Sequence, residues 1–280
     1  MSEAVLSVSG LTAGYGGGRM IVDGVDLSVA AGEIVTMIGQ NGAGKSTVLK
    51  GIYNMTKERQ GDVRLDGASV FRLPSHEMLR QGLAYIPQQH TIFPKLTIAE
   101  NLAMGGYLID DRSLLAERIA RVEAMFPVLT ERRTQYAASL SGGEQRMLEI
   151  ARTLVMDPKA IMLDEPSIGL APRIVDQVFA VIRGLAEAGK AILMVEQNVK
   201  KALAASDRAC VLELGRIRLQ DRAQALIGDE RVARLYMGMG GAAYRMSRKK
   251  PAPDLIRGGN RFSEKDMRSK FAACADQAAA

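Results

Sequence analysis

Alternating and continuous runs of apolar side chains predict a series of strands along the chain. Residues 5–8 and 21–29 alternate between apolar and polar positions, as half-buried strands do. Residues 63–67 and 83–87 also have strand character, the first run ending in a turn and the second at a proline. Three further runs are almost wholly apolar, which is typical of strands buried on both faces of a sheet: 34–38, 160–163 and 191–195.

Helical patterns separate several of these strands. Residues 97–126 have helical character, broken near Asp110 and stopped by Pro127, and residues 173–188 form another predicted helix. Strands that alternate with helices are typical of a parallel sheet with helices on its faces. The stretch from about residue 89 to 149 interrupts that alternation, so we expect an inserted α-helical subdomain there. The chain is therefore predicted to be an α/β protein with a mainly parallel sheet and an N-terminal antiparallel β portion.

Composition places a domain boundary near the C-terminal end. After Gly240 the pattern gives way to Gly, Pro and basic residues, so residues 1–240 are predicted to form one domain and residues 241–280 a flexible basic tail. The tail holds nine Lys/Arg against four Asp/Glu, whereas the whole chain has a formal net charge of +6. The basic balance therefore belongs mostly to the tail and indicates little about what the main domain binds.

Several classes of protein are not expected from the sequence. It contains no apolar run long enough to span a bilayer, and no basic leader followed by an apolar stretch. Two cysteines, Cys210 and Cys274, are too few for a disulfide framework or a metal cluster, and Cys210 is predicted to be a core residue. We therefore expect a cytosolic protein.

A glycine-rich loop follows the predicted strand 34–38 and precedes a helical pattern. Its spacing, Gly39-x-x-x-x-Gly44-Lys45-Ser46, matches the phosphate-binding P-loop in full. Glycines let consecutive backbone N–H groups converge on phosphate oxygens, and the helix presents the positive end of its dipole. Lys45 adds a charge toward the β- and γ-phosphates, and the Ser46 hydroxyl is a candidate Mg²⁺ ligand. A nucleoside triphosphate and Mg²⁺ are therefore the predicted cofactors, and the predicted binding residues of the loop are Gly39, Asn41, Gly42, Ala43, Gly44, Lys45, Ser46 and Thr47.

Two adjacent carboxylates stand at the end of the apolar run 160–163. Neighbouring side chains on an extended backbone point in opposite directions, so Asp164 and Glu165 are expected to have different roles. Asp164 is predicted to hold the Mg²⁺ shell. Glu165 is predicted to orient and deprotonate the attacking water.

The most informative motif is Leu-Ser-Gly-Gly-Glu-Gln at residues 140–145, about twenty residues before the acidic pair. Ser141, Gly142 and Gly143 offer backbone N–H groups and a hydroxyl at a predicted helix start, which makes a second anion site. In their order and spacing, the P-loop, this motif and the acidic pair resemble the ABC ATPase family over about residues 4–237. The resemblance implies a P-loop NTPase core of the ABC type that works as a dimer.

The resemblance also implies roles for individual residues. Ser141 and Gly143, with Gly142 between them, would contact the γ-phosphate of ATP held by an opposing subunit. Tyr15 matches the aromatic residue that stacks on adenine. Gln88 matches the glutamine that touches Mg²⁺ and senses the transmembrane partner. One departure follows the catalytic glutamate: the family's dimer-contact loop often ends in an aspartate, and this chain has Ala171 there.

A second departure follows the predicted strand 191–195. The family usually places a histidine there that reaches the γ-phosphate, whereas this chain has Glu196-Gln197-Asn198. Gln197 can donate and accept a hydrogen bond but carries no titratable proton near neutral pH. Either Gln197 replaces the histidine geometrically or hydrolysis is impaired. We favour replacement, because Val-Glu-Gln-Asn is similar to the form in a subgroup of importer ATPases, and we predict Gln197 and Glu165 as catalytic residues.

Several short sequence motifs resemble those of one group of transporters. Residues 13–16, 92–97, 164–172 and 195–198 look like the shorter ATP-binding subunit of bacterial branched-chain amino-acid importers. Importers of urea and short-chain amides have a closely similar pattern, so that substrate class stays open. The implied partners are a second ATPase subunit, identical or related, transmembrane permeases and, indirectly, a periplasmic binding protein, with no nucleic acid. The implied location is the cytoplasmic face of the inner membrane, as a peripheral subunit.

Permease contact is expected around residues 88–101. Ile92, Phe93 and Leu96 are candidates for an exposed apolar surface that receives a partner helix, or else for packing within the helical region. Two rival functions are compatible with parts of the sequence. Soluble ABC proteins that act on DNA or ribosomes usually have two ATPase units or a long coiled-coil insertion, and neither is evident here. A catalytically weak regulatory ATPase is suggested only by Gln197.

Overall fold

The structure is a computed structural model that describes residues 4–89 and 91–237. The predicted boundary near Gly240 and the predicted tail at residues 241–280 lie outside the described residues. The division into domains therefore stays a prediction.

Ten strands in the described part of the chain form two sheets. They are β1 (Ala4–Gly14), β2 (Met20–Ala30), β3 (Ile34–Ile38), β4 (Glu58–Leu65), β5 (Ala68–Ser69), β6 (Leu83–Ile86), β7 (Ala160–Asp164), β8 (Ala191–Val195), β9 (Arg208–Glu213) and β10 (Arg216–Arg222). The first sheet has the order β2-β1-β4-β5 and is antiparallel throughout. The second has the order β10-β9-β3-β8-β7-β6, parallel except for the edge strand β10. The predicted fold class is confirmed.

Ten α-helices complete the described fold. They are α1 (Lys45–Ile52), α2 (Ser75–Met78), α3 (Ile98–Gly105), α4 (Arg112–Met125), α5 (Pro127–Thr130), α6 (Gly142–Leu154), α7 (Pro172–Glu187), α8 (Val199–Ala205), α9 (Ala223–Leu226) and α10 (Glu230–Met237). Helices α3 to α6 all lie between β6 and β7, where the helical insertion was predicted. Pro127 ends α4 and begins α5, because proline is excluded from helix interiors but suits a first turn.

The second sheet is the centre of the core. Strands β3, β7 and β8 are buried at every position, because apolar clusters cover the sheet on both faces. Such strands show no alternation, and this explains the continuous apolar runs in the sequence. The carboxyl ends of neighbouring parallel strands lie on the same edge of a sheet. The order β3-β8-β7-β6 therefore brings together the loops that follow these four strands.

Candidate nucleotide site

The loop after β3 depends on two glycines. A Cβ atom at Gly39 would lie 2.3 Å from the carbonyl oxygen of Leu212 on β9, far inside van der Waals contact. Gly44 has a φ of +102°, a left-handed conformation that side chains disfavour. Because α1 begins directly afterwards at Lys45, its unpaired first N–H groups lie next to the loop. Loop and helix together form the predicted phosphate cradle.

Lys45 is folded back onto this loop. Its Nζ donates to the carbonyl oxygens of Gly39 at 2.9 Å and Gln40 at 3.0 Å, and the side chain is 5% exposed. Burial lowers the pKa of Lys45, while the negative charges of Glu165 and Asp164 act in the opposite direction. The ammonium group is thus placed among backbone acceptors that a phosphate could replace.

Asp164 is fixed by two hydroxyl groups. Ser46 Oγ donates to its Oδ1 at 2.9 Å, and Tyr85 Oη donates to its Oδ2 at 3.1 Å. Burial, and next the charge of Asp164, raise the pKa of Tyr85, so the phenol stays protonated and remains a donor. The sequence pattern places Tyr85 only in a strand, and a single tyrosine in a strand gives no signal of this contact. A carboxylate beside a hydroxyl is a donor set that fits Mg²⁺.

Glu165 does not continue the strand. We expected both carboxylates on extended backbone, but β7 ends at Asp164 and Glu165 has a φ of +47°, so that expectation was wrong. Its backbone N–H donates to the Val195 carbonyl at 2.9 Å, and its Oε2 accepts from Gln88 Nε2 at 3.1 Å. A left-handed residue other than glycine costs about 1–3 kcal/mol, and such strain persists only where surrounding contacts impose it.

The environment of Glu165 raises the pKa of its carboxyl group. The side chain is 9% exposed, and burial raises its pKa. Lys45 lowers the pKa, whereas the neighbouring charges of Asp164 and Glu196 raise it further. A carboxylate with a raised pKa is a better proton acceptor than an ordinary glutamate, which suits a general base.

Gln197 lies next to the P-loop. Its Nε2 donates to Asn41 Oδ1 at 3.1 Å, although the two residues are 156 positions apart in sequence. Its backbone N–H donates to Glu196 Oε2, also at 3.1 Å. The structure therefore brings the predicted switch residue to the predicted phosphate loop.

Tyr15 lies at the outer edge of the same region. Its ring is 43% exposed, and its hydroxyl lies 3.4 Å from Thr47 Oγ1 in α1. Gly42 is exposed at the tip of the loop, and Ala43 is buried. An exposed aromatic face beside the first turn of α1 is available for stacking on a base.

The signature motif forms the start of α6. Ser141 is the N-cap: its Oγ accepts from the Glu144 N–H at 3.4 Å, while Glu144 Oε2 accepts from the Ser141 N–H at 2.9 Å. Ser141 and Gly142 are exposed, but Gly143 is buried. A Cβ at Gly143 would lie 2.1 Å from Ile174 Cγ2 in α7. Close helix packing therefore accounts for one of the two glycines, independently of any ligand.

Arg146 is a buried arginine whose contacts the sequence pattern does not indicate. Arg146 is 2% exposed; its Nη1 donates to the Pro87 carbonyl at 2.9 Å, and its Nη2 donates to the Asp164 carbonyl at 3.2 Å. Its Nη1 also pairs with Glu149 at 2.9 Å. Arginine and glutamate three residues apart are common on exposed helix faces, so spacing alone could not identify this pair. Arg146 ties the signature helix to the ends of β6 and β7.

The expected apolar permease surface is only partly present. Phe93 is 42% exposed, and the Arg152 guanidinium lies 5.2 Å from its ring centroid. Ile92 instead packs against the core, and Leu96 is half-buried. Of the three candidates, Phe93 alone is an exposed side chain. Among the described residues, no helix is long and apolar enough to cross a membrane.

Comparisons with known proteins agree with this geometry. The ABC transporter family profile matches residues 22–168, and the chain belongs to this family. It is an ATP-binding cassette that hydrolyses ATP and works with the transmembrane components of a transporter. The chain is 42% identical over 234 residues to the high-affinity branched-chain amino acid transport ATP-binding protein BraG of Pseudomonas aeruginosa. The matched region covers 84% of this chain and 100% of BraG.

A second relative belongs to a different transporter. The chain is 35% identical over 236 residues to the lipopolysaccharide export system ATP-binding protein LptB of Escherichia coli strain K12, covering 84% of this chain and 98% of LptB. Among solved structures, the ADP conformation of an ATP-binding cassette of an ABC transporter superposes with a TM-score of 0.76 at 25% identity. That match covers 85% of this chain and the whole of the other.

Proposed function

We propose that the chain is the ATP-hydrolysing subunit of an importer of branched-chain amino acids. The observation that carries the substrate class is the 42% identity to BraG over that protein's full length. The partners would be a second ATPase subunit, transmembrane permeases and, indirectly, a periplasmic binding protein. The chain would lie peripherally at the cytoplasmic face of the inner membrane.

The convergence of the four loops supports specific roles in hydrolysis. Lys45 would bind the β- and γ-phosphates, releasing its present contacts with the loop carbonyls. Glu165 would accept a proton from the attacking water, with Gln88 holding its carboxylate in place. Gln197, already at the P-loop, would orient toward the γ-phosphate. Ser141, with Gly142 and Gly143, would complete the site of an opposing subunit.

Mg²⁺ fits the residues that are present. The Ser46 hydroxyl, the Asp164 carboxylate and the Gln88 amide oxygen are hard oxygen donors of the kind this ion prefers. When bound, it would neutralise charge on the phosphate oxygens. Ser46 donates a hydrogen bond to Asp164, so the two groups are held side by side.

The ATPase roles can be tested with Glu165→Gln and Gln197→Ala. Loss of turnover by about 10²-fold or more in Glu165→Gln, with ATP binding retained, is expected for a missing general base. Gln197→Ala should lower turnover less, because it removes one positioning contact. An unchanged rate in either variant would remove that residue from the proposed mechanism.

The substrate class needs a separate measurement in cells. Deleting the gene should lower uptake of radiolabelled leucine, isoleucine and valine, and the wild-type chain, but not Glu165→Gln, should restore it. Importers of urea or short-chain amides are the first alternative, so uptake of these compounds is measured in parallel. The 35% identity to LptB makes lipopolysaccharide export a second candidate. Normal amino-acid uptake with defective lipopolysaccharide export would favour that candidate.

A further inference from the structure

A buried carboxylate joins the loop that follows β7 to the loop that follows β8. Glu196, directly after β8, is 1% exposed. Its Oε1 accepts a hydrogen bond from the Ser167 N–H at 2.9 Å, and its Oε2 accepts one from the Gln197 N–H at 3.1 Å. The Asn198 N–H makes a longer contact of 3.5 Å with the same oxygen. One side chain thus binds the backbone of both loops.

The chemistry of this clamp requires a carboxylate. Both of its oxygens are acceptors, whereas an amide side chain would turn an NH₂ group toward one of the two N–H donors. Hydrogen bonds from N–H groups to a charged acceptor are also shorter and stronger than neutral ones. A buried charge is tolerated only when such bonds satisfy it. The arrangement is therefore specific for Glu at this position.

The loop held through Ser167 leads to the signature motif. It begins at Glu165 and reaches Leu170, and a Cβ at Gly142 would lie 3.9 Å from Leu170 Cδ2. On the other side of the clamp, Gln197 reaches Asn41 of the P-loop. Glu196 therefore bonds both to the loop that reaches Leu170 and to the loop in which Gln197 contacts the P-loop.

We propose that Glu196 is a positioning residue for ATP hydrolysis, which fixes Gln197 relative to the loop that follows Glu165. The proposal rests on the roles proposed above for Glu165 and Gln197. Catalytic groups displaced by about 1 Å can lose about 10²-fold in rate, so a clamp on the two backbones is sufficient to affect turnover without touching nucleotide.

The test compares Glu196→Gln with the wild-type full-length chain. The two side chains have nearly the same volume, but glutamine can satisfy only one loop at a time. Turnover of ATP should fall by about 10-fold or more, while the Kd for ATP, measured with a fluorescent analogue, changes by less than about 2-fold. An equal turnover, or a loss confined to ATP affinity, would overturn the proposal.

A matched control separates positioning from general stability. Glu33 also has a carboxylate that accepts from a backbone N–H, that of Ala30 at 2.8 Å, and it pairs with Arg208 at 2.9 Å, before the start of β3 and away from the nucleotide loops. Glu33→Gln should lower the melting temperature but leave turnover within about 2-fold of wild type. If both variants lose turnover in proportion to their loss of stability, Glu196 has only a structural role.

Two further readouts report on the clamp itself. Hydrogen–deuterium exchange should become faster in peptides that contain the Ser167 and Gln197 amides, with α1 unchanged. In a Gln197→Ala background, Glu196→Gln should have a much smaller effect than in wild type, because contacting residues are not additive. Unchanged exchange or full additivity would contradict the proposal. If Glu196→Gln cannot be purified, Glu196→Asp keeps the charge but is too short for both loops, and its turnover must also fall.

Failure of this inference is distinguishable from failure of the proposed function. Glu165→Gln is measured alongside. A wild-type rate in Glu165→Gln would refute the proposed general base, whereas an inactive Glu165→Gln with a fully active Glu196→Gln refutes only the clamp.

Discussion

The P-loop side (residues 39–47, with Asp164) and the signature side (residues 140–145) of this molecule differ in how their polar groups are exposed. On the P-loop side, Lys45, Ser46 and Asp164 are buried or half-buried, and each has a hydrogen-bond partner within the chain. On the signature side, Ser141 and Gly142 are exposed at the end of a helix whose cap is already complete. The first side has the ordered side chains expected of a site that holds a ligand by itself. The second presents backbone and hydroxyl groups outward, which suits a surface that completes a site on another subunit.

The largest expected effect is on the P-loop side. Lys45→Met removes the charge that is proposed to bind the β- and γ-phosphates, so turnover should fall by about 10²-fold or more. Lys50→Met, in the last turn of the same helix, is the matched control and should retain activity. Steady-state ATP hydrolysis measures both. Comparable losses of turnover in the two variants would show that any positive charge on α1 supports hydrolysis, and that Lys45 has no special role in the loop.

Mixing variants tests whether the signature side acts on a partner. If the chain pairs with a second copy of itself, Lys45→Met and Ser141→Arg should each be inactive alone, because every site in either homodimer is damaged. In a mixed dimer one site combines the intact Lys45 of one subunit with the intact Ser141 of the other. A one-to-one mixture should therefore recover about a quarter of the wild-type rate. A mixture as inactive as its components would contradict the idea that the signature motif of one subunit completes the nucleotide site of the other.

The two signature glycines should differ in their effect on stability. Gly143→Ala forces a Cβ to within 2.1 Å of Ile174, and overpacking of this kind costs about 1–3 kcal/mol. Gly142→Ala has its nearest neighbour at 3.9 Å and should unfold like wild type. Chemical denaturation measures both, and Ile174→Ala should rescue Gly143→Ala. Loss of turnover in a fully stable Gly142→Ala would show that the exposed glycine serves a ligand.

The smallest expected effect is the dependence of stability on pH. Since the pKa of Glu165 is raised in the folded protein, the unfolded chain loses this proton first, and Glu165 destabilises the fold as pH rises through its folded pKa. Between pH 4 and 7 the stability of Glu165→Gln relative to wild type should therefore increase. The pKa of Glu100 is lowered by hydrogen bonds from Thr97, so the stability of Glu100→Gln relative to wild type should show the opposite trend, at and below the ordinary pKa of a glutamate. Parallel trends would contradict the assignment.

Much of this architecture could be predicted from the chain because its signals are local. The strands 34–38 and 191–195 were predicted with the bounds that β3 and β8 have, since a strand buried on both faces has a continuous apolar pattern. The P-loop was equally clear, because its glycine spacing is imposed by the turn itself. The left-handed conformation of Glu165 could not be predicted, because a contact with Val195, thirty residues away in sequence, helps to impose it.

The sequence by itself indicated seven of the ten described strands, the phosphate loop, the acidic pair and the signature motif, but not β5, β9 or β10. These follow from periodicity and from residue types that only a few backbone conformations accept. Only the tertiary structure decided that Ile174 leaves no room for a side chain at position 143. It also decided that Arg146 joins its own helix to the ends of β6 and β7, and that Glu196 bonds to the loops after β7 and β8. The reason is physical: packing clearance and burial of charge depend on side chains brought together by the sheet order, and no local pattern encodes that meeting.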